Sequence, residues 1–194
     1  ASEGAWAIAP ERRVHVKGVV QRITMGERGT IKPDKGFKST EVAPGIHNLQ
    51  FPHGRGALGS MILLTAEQSC AMIDSGVRDT ASNQLLPYLR QLEIDERRIL
   101  TIVNTHYHPD HMGSDAQMKA LSGATVMAHR VEVPYIENPV LWLEEGVRRS
   151  GDYSPMHDMS AQEIRARGAT PARVDRVLED GDEVQLAGRT FKVL

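Results

Sequence analysis

A single cysteine, 5% aromatic residues and no long apolar run limit what this 194-residue chain can be. Cys70 alone excludes an internal disulfide framework and leaves the redox compartment open. It lies in the apolar stretch "QSCAMIDSG" and reads as a small core hydrophobe. Lys+Arg 23 against Asp+Glu 25 leaves a formal charge of -2. With so few aromatics there is neither a basic field nor a set of stacking platforms, so nucleic acid is not expected as a partner. The longest apolar candidate, "SMILLT", falls far short of the roughly 20 residues that cross a bilayer, so no membrane partner is expected either. The opening "ASEGAWAIAP" shows no charged region followed by an apolar one, which implies a signal peptide already removed or never present. The expected location is cytoplasmic, with a periplasmic or secreted location after signal removal as the alternative.

The length suits one domain with a core plus an appendage. Residues 1–41 are mixed in charge and punctuated by Gly18, Gly26, Gly29, Pro33 and Gly36, and read as an N-terminal extension. The globular pattern of residues 42–194 opens with "GIHNLQF", "SMILLT" and "SCAMIDS", short β-rich runs separated by turns. A helix is expected in "DTASNQLLPYLRQL", capped by Asp79 or Thr80, with Leu85, Leu89 and Leu92 on one face; Pro87 either kinks it or marks its true first turn. "RILTIVNT" lacks polar alternation, the mark of a strand buried on both faces. "SDAQMKALSG" predicts a short helix capped at Ser114 and stopped at Gly123, and "ATVMAH" another buried strand. A helical insert is expected at about 130–170, and "RVLEDGDEVQLAGRTFKVL" reads as a closing hairpin. "GRGALG" satisfies G-x-G-x-x-G, but a strand follows where a dinucleotide site needs a helix, so it reads as a hairpin loop.

The chemistry is concentrated in "NTHYHPDHMGSD", which holds His106, His108, Asp110 and His111. Imidazole and carboxylate together suit a borderline divalent ion such as zinc. In an extended loop, residues two apart point the same way, so His106 and His108 face one position; Asp110 and His111, beyond a bend at Pro109, face a second.

This stretch resembles the H-x-H-x-D-H signature of the metallo-β-lactamase superfamily, set after a buried strand and before a short helix. "AMIDSG" resembles the family's strand ending in an Asp-Ser/Thr-Gly turn. The resemblance covers about residues 42–194 and implies an α/β fold, the αββα metallo-β-lactamase-like sandwich, of which this chain is the N-terminal half. It implies that His106 and His108 are ligands of a first metal and Asp110 and His111 of a second, with Asp74 supporting the metal loop from behind. A third histidine for the first metal, a bridging carboxylate and a final histidine for the second are then still outstanding. His15, His47, His53, His129 and His157 do not sit where the family places them, and read as structural or surface residues.

The implied activity is a hydrolase using a metal-bound hydroxide to cleave an ester, thioester, lactone or amide bond, a β-lactam included. Two zinc ions are expected per complete site, with iron or manganese as alternatives, and Asp110 orients the hydroxide. The substrate is a small molecule. The outstanding ligands are expected from a complementary C-terminal half, present as another chain, a cleaved piece or an unseen continuation. The alternatives are a single-iron persulfide dioxygenase of the same fold and a non-catalytic half-domain acting through association. Tyr135, Leu141, Trp142 and Leu143 of the insert read as core, with a substrate wall as the lesser reading.

Overall fold

Three chain reversals followed by three parallel crossovers build a seven-stranded mixed sheet of order β1-β2-β3-β4-β5-β6-β7. The computed structural model describes residues 36–53, 58–141 and 170–194. Strands β1 (Lys38–Ala43), β2 (Ile46–Pro52), β3 (Leu58–Thr65) and β4 (Cys70–Ile73) form an antiparallel meander. Strands β5 (Ile99–Asn104), β6 (Thr125–His129) and β7 (Arg176–Leu178) then run parallel to β4. Because two reversals restore the original direction, β2 also runs with β4. The C-terminal ends of β2, β4, β5, β6 and β7 therefore open on one edge of the sheet, where ligands bind in open α/β sheets.

The two faces are covered differently. On one face Leu49, Phe51, Leu63, Met72 and Ile102 pack against helical residues Leu85, Leu89, Met112, Met118 and Ile136. On the other, Leu64, Ala71, Met127 and Leu178 meet Val184 and Leu186 of a separate hairpin, β8 (Glu183–Leu186) and β9 (Arg189–Lys192). Its turn residues Ala187 and Gly188 have φ of 47° and 75°, the paired positive values of a tight two-residue hairpin turn. Arg189 ties the hairpin down by donating to the carbonyls of Pro44 at 2.7 Å and Thr65 at 3.2 Å.

The helices are short. The expected helix after β4 begins as a π-helical turn, Ala81–Leu85, and becomes helix α1 at Leu86–Gln91. Pro87 sits in the first turn of α1, where its missing N–H is needed least. Leu85 and Leu89 are buried and Leu92 packs against them, as the spacing requires. Neither Asp79 nor Thr80 caps by side chain: Asp79 takes a φ of 63°, and the turn opens without a side-chain bond from Thr80. Helix α2 spans Pro109–Met112, α3 Asp115–Ser122 and α4 Val133–Glu137. Gly123 ends α3 in the left-handed region with its N–H on the Lys119 carbonyl, as predicted.

Lys38–Ala43, largely in the extension, pairs as β1, a short strand of the kind that stretch allowed. Several expectations are corrected. Arg176–Leu178 is no arm of the closing hairpin but a parallel strand, drawn beside β6 by Leu178, which buries on the hairpin-covered face. Strand β5 is not buried throughout: Leu100, at the register irregularity between β4 and β5, is 54% exposed. Pro109 does not bend an extended loop; it opens α2 and puts Asp110 and His111 in a helical turn. Gly54 to Ala57 and most of the insert, 142–169, including Trp142 and Leu143, lie outside the described residues.

Candidate metal centre

Strand β5 ends at Asn104, and the next seven residues carry all four motif side chains onto the sheet edge. The His106 ring lies 4.6 Å from that of His108 and 3.9 Å from that of His111, centroid to centroid. Asp110 Oδ2 is 3.5 Å from His111 Nε2. The structure thus brings His106, His108, Asp110 and His111 together within a single turn of chain.

Asp74 stands directly behind them. It leaves β4 with a φ of 63°, a left-handed conformation that Asp tolerates better than most residues. Its Oδ1 accepts from the Thr105 N–H at 2.8 Å, and its Oδ2 meets His111 Nδ1 at 2.7 Å. The Thr105 hydroxyl lies 2.9 Å from Asp74 Oδ2 and 3.0 Å from His106 Nδ1. With Asp74 accepting from both Thr105 and His111 Nδ1–H, and Thr105 Oγ1 accepting from His106 Nδ1–H, the Nε2 atoms of His106 and His111 are left as lone-pair donors.

The turn after Asp74 clamps the far end of the loop. Ser75 N–H donates to the His111 carbonyl at 2.6 Å, and Gly76 bridges to Met112. Ser114 does not cap α3 by side chain; its hydroxyl donates to the Val77 carbonyl at 2.6 Å and accepts from the Ala81 N–H at 3.1 Å. Gly76 is needed here twice over: its φ is 82°, and an added Cβ would stand 2.6 Å from Thr80 Cγ2.

Burial, with the neighbouring imidazoles, pushes the His106 pKa down, and burial does the same for His108. Both shifts favour the neutral ring that a metal requires. The Asp74 hydrogen bond moves His111 the opposite way.

The donor chemistry, three imidazoles and a carboxylate with two Nε2 atoms already selected by their partners, fits a divalent ion of the zinc type. The number that converges does not complete one: among the described residues, no three His, Cys, Asp or Glu side chains are arranged as they stand to hold a single ion.

Four neighbours were not legible as parts of this site. His53, immediately after β2, brings Nε2 to 3.3 Å from Asp110 Oδ2. Glu132, after β6, accepts the Tyr107 N–H at 2.9 Å and so holds the loop between His106 and His108. Tyr107 in turn stacks on Tyr135 of α4 with centroids 4.6 Å apart. Beneath the loop, Asp115 is fully buried with Asn104 Nδ2 donating to its Oδ2. Counting the two reversals between β2 and β4 is a sequence signal that places His53 at this edge. Of the other histidines, His47 is buried against the Tyr88 hydroxyl at 3.1 Å. His129 Nε2 lies 3.3 Å from Asp180 without hydrogen-bond alignment. His15 and His157 lie outside the described residues.

Desolvation pushes Asp115 up to about 7, and its Oδ1 has no hydrogen-bond partner among the described residues. The folded protein therefore binds a proton that the unfolded chain, near 3.8, has released. Over that interval the native state holds more protons, so this group's contribution to stability falls as pH rises from about 4 to about 7. Asp115→Asn should flatten that fall: the thermal midpoint of the variant relative to the parent should rise between pH 5 and pH 8. A constant difference across that range would show that Asp115 is ionised when folded.

The family model described as "Metallo-beta-lactamase superfamily" matches residues 54–194. Among solved structures, a metallo-beta-lactamase family protein from Thermus thermophilus superposes with a TM-score of 0.63 at 24% identity, over 79% of this chain and 52% of that one. A Cronobacter sakazakii metallo-beta-lactamase with an HARLDQ motif gives 0.57 at 25% identity, over 79% and 52%. A subclass B3 metallo-beta-lactamase of Bradyrhizobium japonicum gives 0.58 at 21% identity, over 85% and 53%. A search of curated proteins finds no match. The chain spans about half the length of the solved structures it matches. The mixed sheet, the helices on one face and the matched segment establish that this chain belongs to the metallo-beta-lactamase superfamily, with the α/β sandwich fold of that family represented by about half its length.

Proposed function

We propose that this chain supplies the histidine and aspartate loop of a metal-dependent hydrolase acting on an ester, thioester, lactone or amide bond, a β-lactam included. The observation that carries the reading is the H-x-H-x-D-H segment at the ligand-binding edge of the sheet, with His111 bonded to Asp74 at 2.7 Å behind it. The family is the metallo-beta-lactamase superfamily, and solved structures similar to this chain are metallo-beta-lactamases, which supports a metal-dependent hydrolase. His106 and His108 would hold a first ion, and Asp110 and His111 a second. Divalent ions bound there would polarise the scissile carbonyl and acidify water.

The chain's own groups do the rest. Thr105 and Asp74 fix the rings of His106 and His111 and select the nitrogens that face outward. Asp110, the one motif carboxylate, orients the attacking water and carries its proton toward the leaving group. The third histidine of the first ion, the carboxylate between the ions and the final histidine of the second come, in this reading, from polypeptide beyond these 194 residues. The donor count of two per ion supports that division, as does the half-length match.

The test compares the native polypeptide carrying this sequence with residues 1–194 expressed alone. The native form should hold two divalent ions and hydrolyse members of a panel of esters, thioesters, lactones and β-lactams. The segment alone should bind metal weakly, self-associate through exposed apolar side chains such as Leu100, and turn over nothing. A soluble 194-residue monomer holding two ions and turning over substrate would overturn the need for further donors. A native form without metal or hydrolysis would overturn the hydrolase reading.

A further inference from the structure

Asp110 is flanked by two imidazoles, and only one of them belongs to the motif. Its Oδ2 lies 3.5 Å from His111 Nε2 on one side and 3.3 Å from His53 Nε2 on the other. His111 is held in turn by Asp74.

The approach of His53 is built into the sheet. Pro52, its neighbour, is the last paired residue of β2 and sits opposite Leu58. Phe51, before it, is fully buried, and a Cβ on Gly59 would stand 2.4 Å from its ring, so Gly59 is what lets that ring lie across β3. Helix α2 packs on β3. Residue 53 therefore leaves a pinned strand end and meets a carboxylate on a packed helix. The His53 side chain is 37% exposed and that of Asp110 23%, so the contact sits at the mouth of the site and not beneath it.

We propose that His53 is a positioning residue for Asp110: its Nε2, 3.3 Å from Oδ2 at ion-pair distance and not yet aligned as a hydrogen bond, turns to donate to Oδ2 and sets the rotation of the carboxylate that would hold the second ion. The inference rests on the metal reading above. It needs no titration, because the neutral Nε2–H ring and the imidazolium both donate. Ligating carboxylates are normally hydrogen-bonded by an outer partner, and loss of such a partner costs about 10 to 100-fold in metal affinity. Asp74 does this for His111; His53 is placed to do it for Asp110 once an ion draws the carboxylate into position.

The test is a Co(II) titration of the metal-free native polypeptide, followed by visible absorption, alongside thermal melting of the metal-free protein and kcat and KM on one substrate. His53→Phe keeps bulk and removes the donor; His53→Gln keeps a donor. The second Co(II) should bind about 10 to 100-fold more weakly in His53→Phe, with the first ion and the metal-free melting midpoint unchanged. The loss should appear in kcat more than in KM, and His53→Gln should recover most of both. His53→Phe binding both ions like the parent would overturn the inference, and so would loss of both ions together with a lowered melting midpoint, which marks a merely structural contact. Asp110→Ala run in parallel separates the levels: if it weakens the second ion and His53→Phe does not, only the role of His53 fails, and if neither does, the metal reading fails with it.

Discussion

His108→Ala should abolish hydrolysis, lowering turnover by more than about 100-fold, the upper end of what loss of an outer metal partner costs. The fold should hardly notice. His108 starts α2 through its backbone, its carbonyl accepting from the N–H groups of His111 at 2.9 Å and Met112 at 3.1 Å, and alanine keeps both bonds. Its ring rests at the surface of the loop, 5.0 Å from Tyr107 and 4.6 Å from His106, centroid to centroid, so no core contact of the sheet is emptied. A stability change within about 1 kcal/mol is expected, with metal content reduced. Circular dichroism, metal analysis and turnover on a responsive substrate measure the three quantities. Full turnover in a variant that keeps its metal would remove His108 from the site.

Asp74→Ala should act on metal and fold together. Removing the carboxylate strands the Thr105 N–H, the Thr105 hydroxyl and His111 Nδ1, each bonded to it at 2.7 to 3.0 Å in a position where its own side chain is only 7% exposed. Leaving such groups without partners costs about 1 to 3 kcal/mol. Alanine at a φ of 63° adds about 1 to 2 kcal/mol of backbone strain. Metal affinity should fall by roughly 10 to 100-fold, because Thr105 and His111 lose the partner that orients them. Asp74→Asn separates the two effects. Asparagine tolerates the left-handed backbone and keeps the shape, so urea stability of the metal-free protein should largely return while metal affinity does not. A variant lacking the carboxylate that still binds metal as tightly as the parent would reduce Asp74 to a turn residue.

The apolar runs "CAMI", "ILTIVN" and "TVMAH" became neighbouring parallel strands, because a strand flanked on both sides leaves little room for polar alternation, although Leu100 of the second stays exposed. The α3 helix ended at Gly123 because a glycine there takes the left-handed φ that closes a helix at no steric cost. Where local rules failed, a contact distant in sequence was responsible. Ser114 gave its hydroxyl to Val77 and Ala81 in place of its own helix, and Asp79 entered a left-handed turn in place of a cap. Arg176–Leu178 reads as a hairpin arm because three residues carry no signal of their partner, and its pairing with β6 is carried by where Leu178 buries.

What the sequence determined by itself is the chemistry of the site: three imidazoles and a carboxylate, their order, and their place directly after a buried strand. Those properties depend only on residues a few positions apart, and an amino-acid string carries them intact. Which side chains stand around the donors was decided by the tertiary structure. Asp74 reaches Thr105 and His111 because β4 lies beside β5 in parallel, and His53 reaches Asp110 because two reversals bring the end of β2 to the same edge. Asp115 is pushed up to about 7 because the packed sheet and helix remove water from around it. Strand direction, register and burial are settled by the whole core at once, so the hydrogen bonds and pKa shifts that follow from them appear only when the chain has folded.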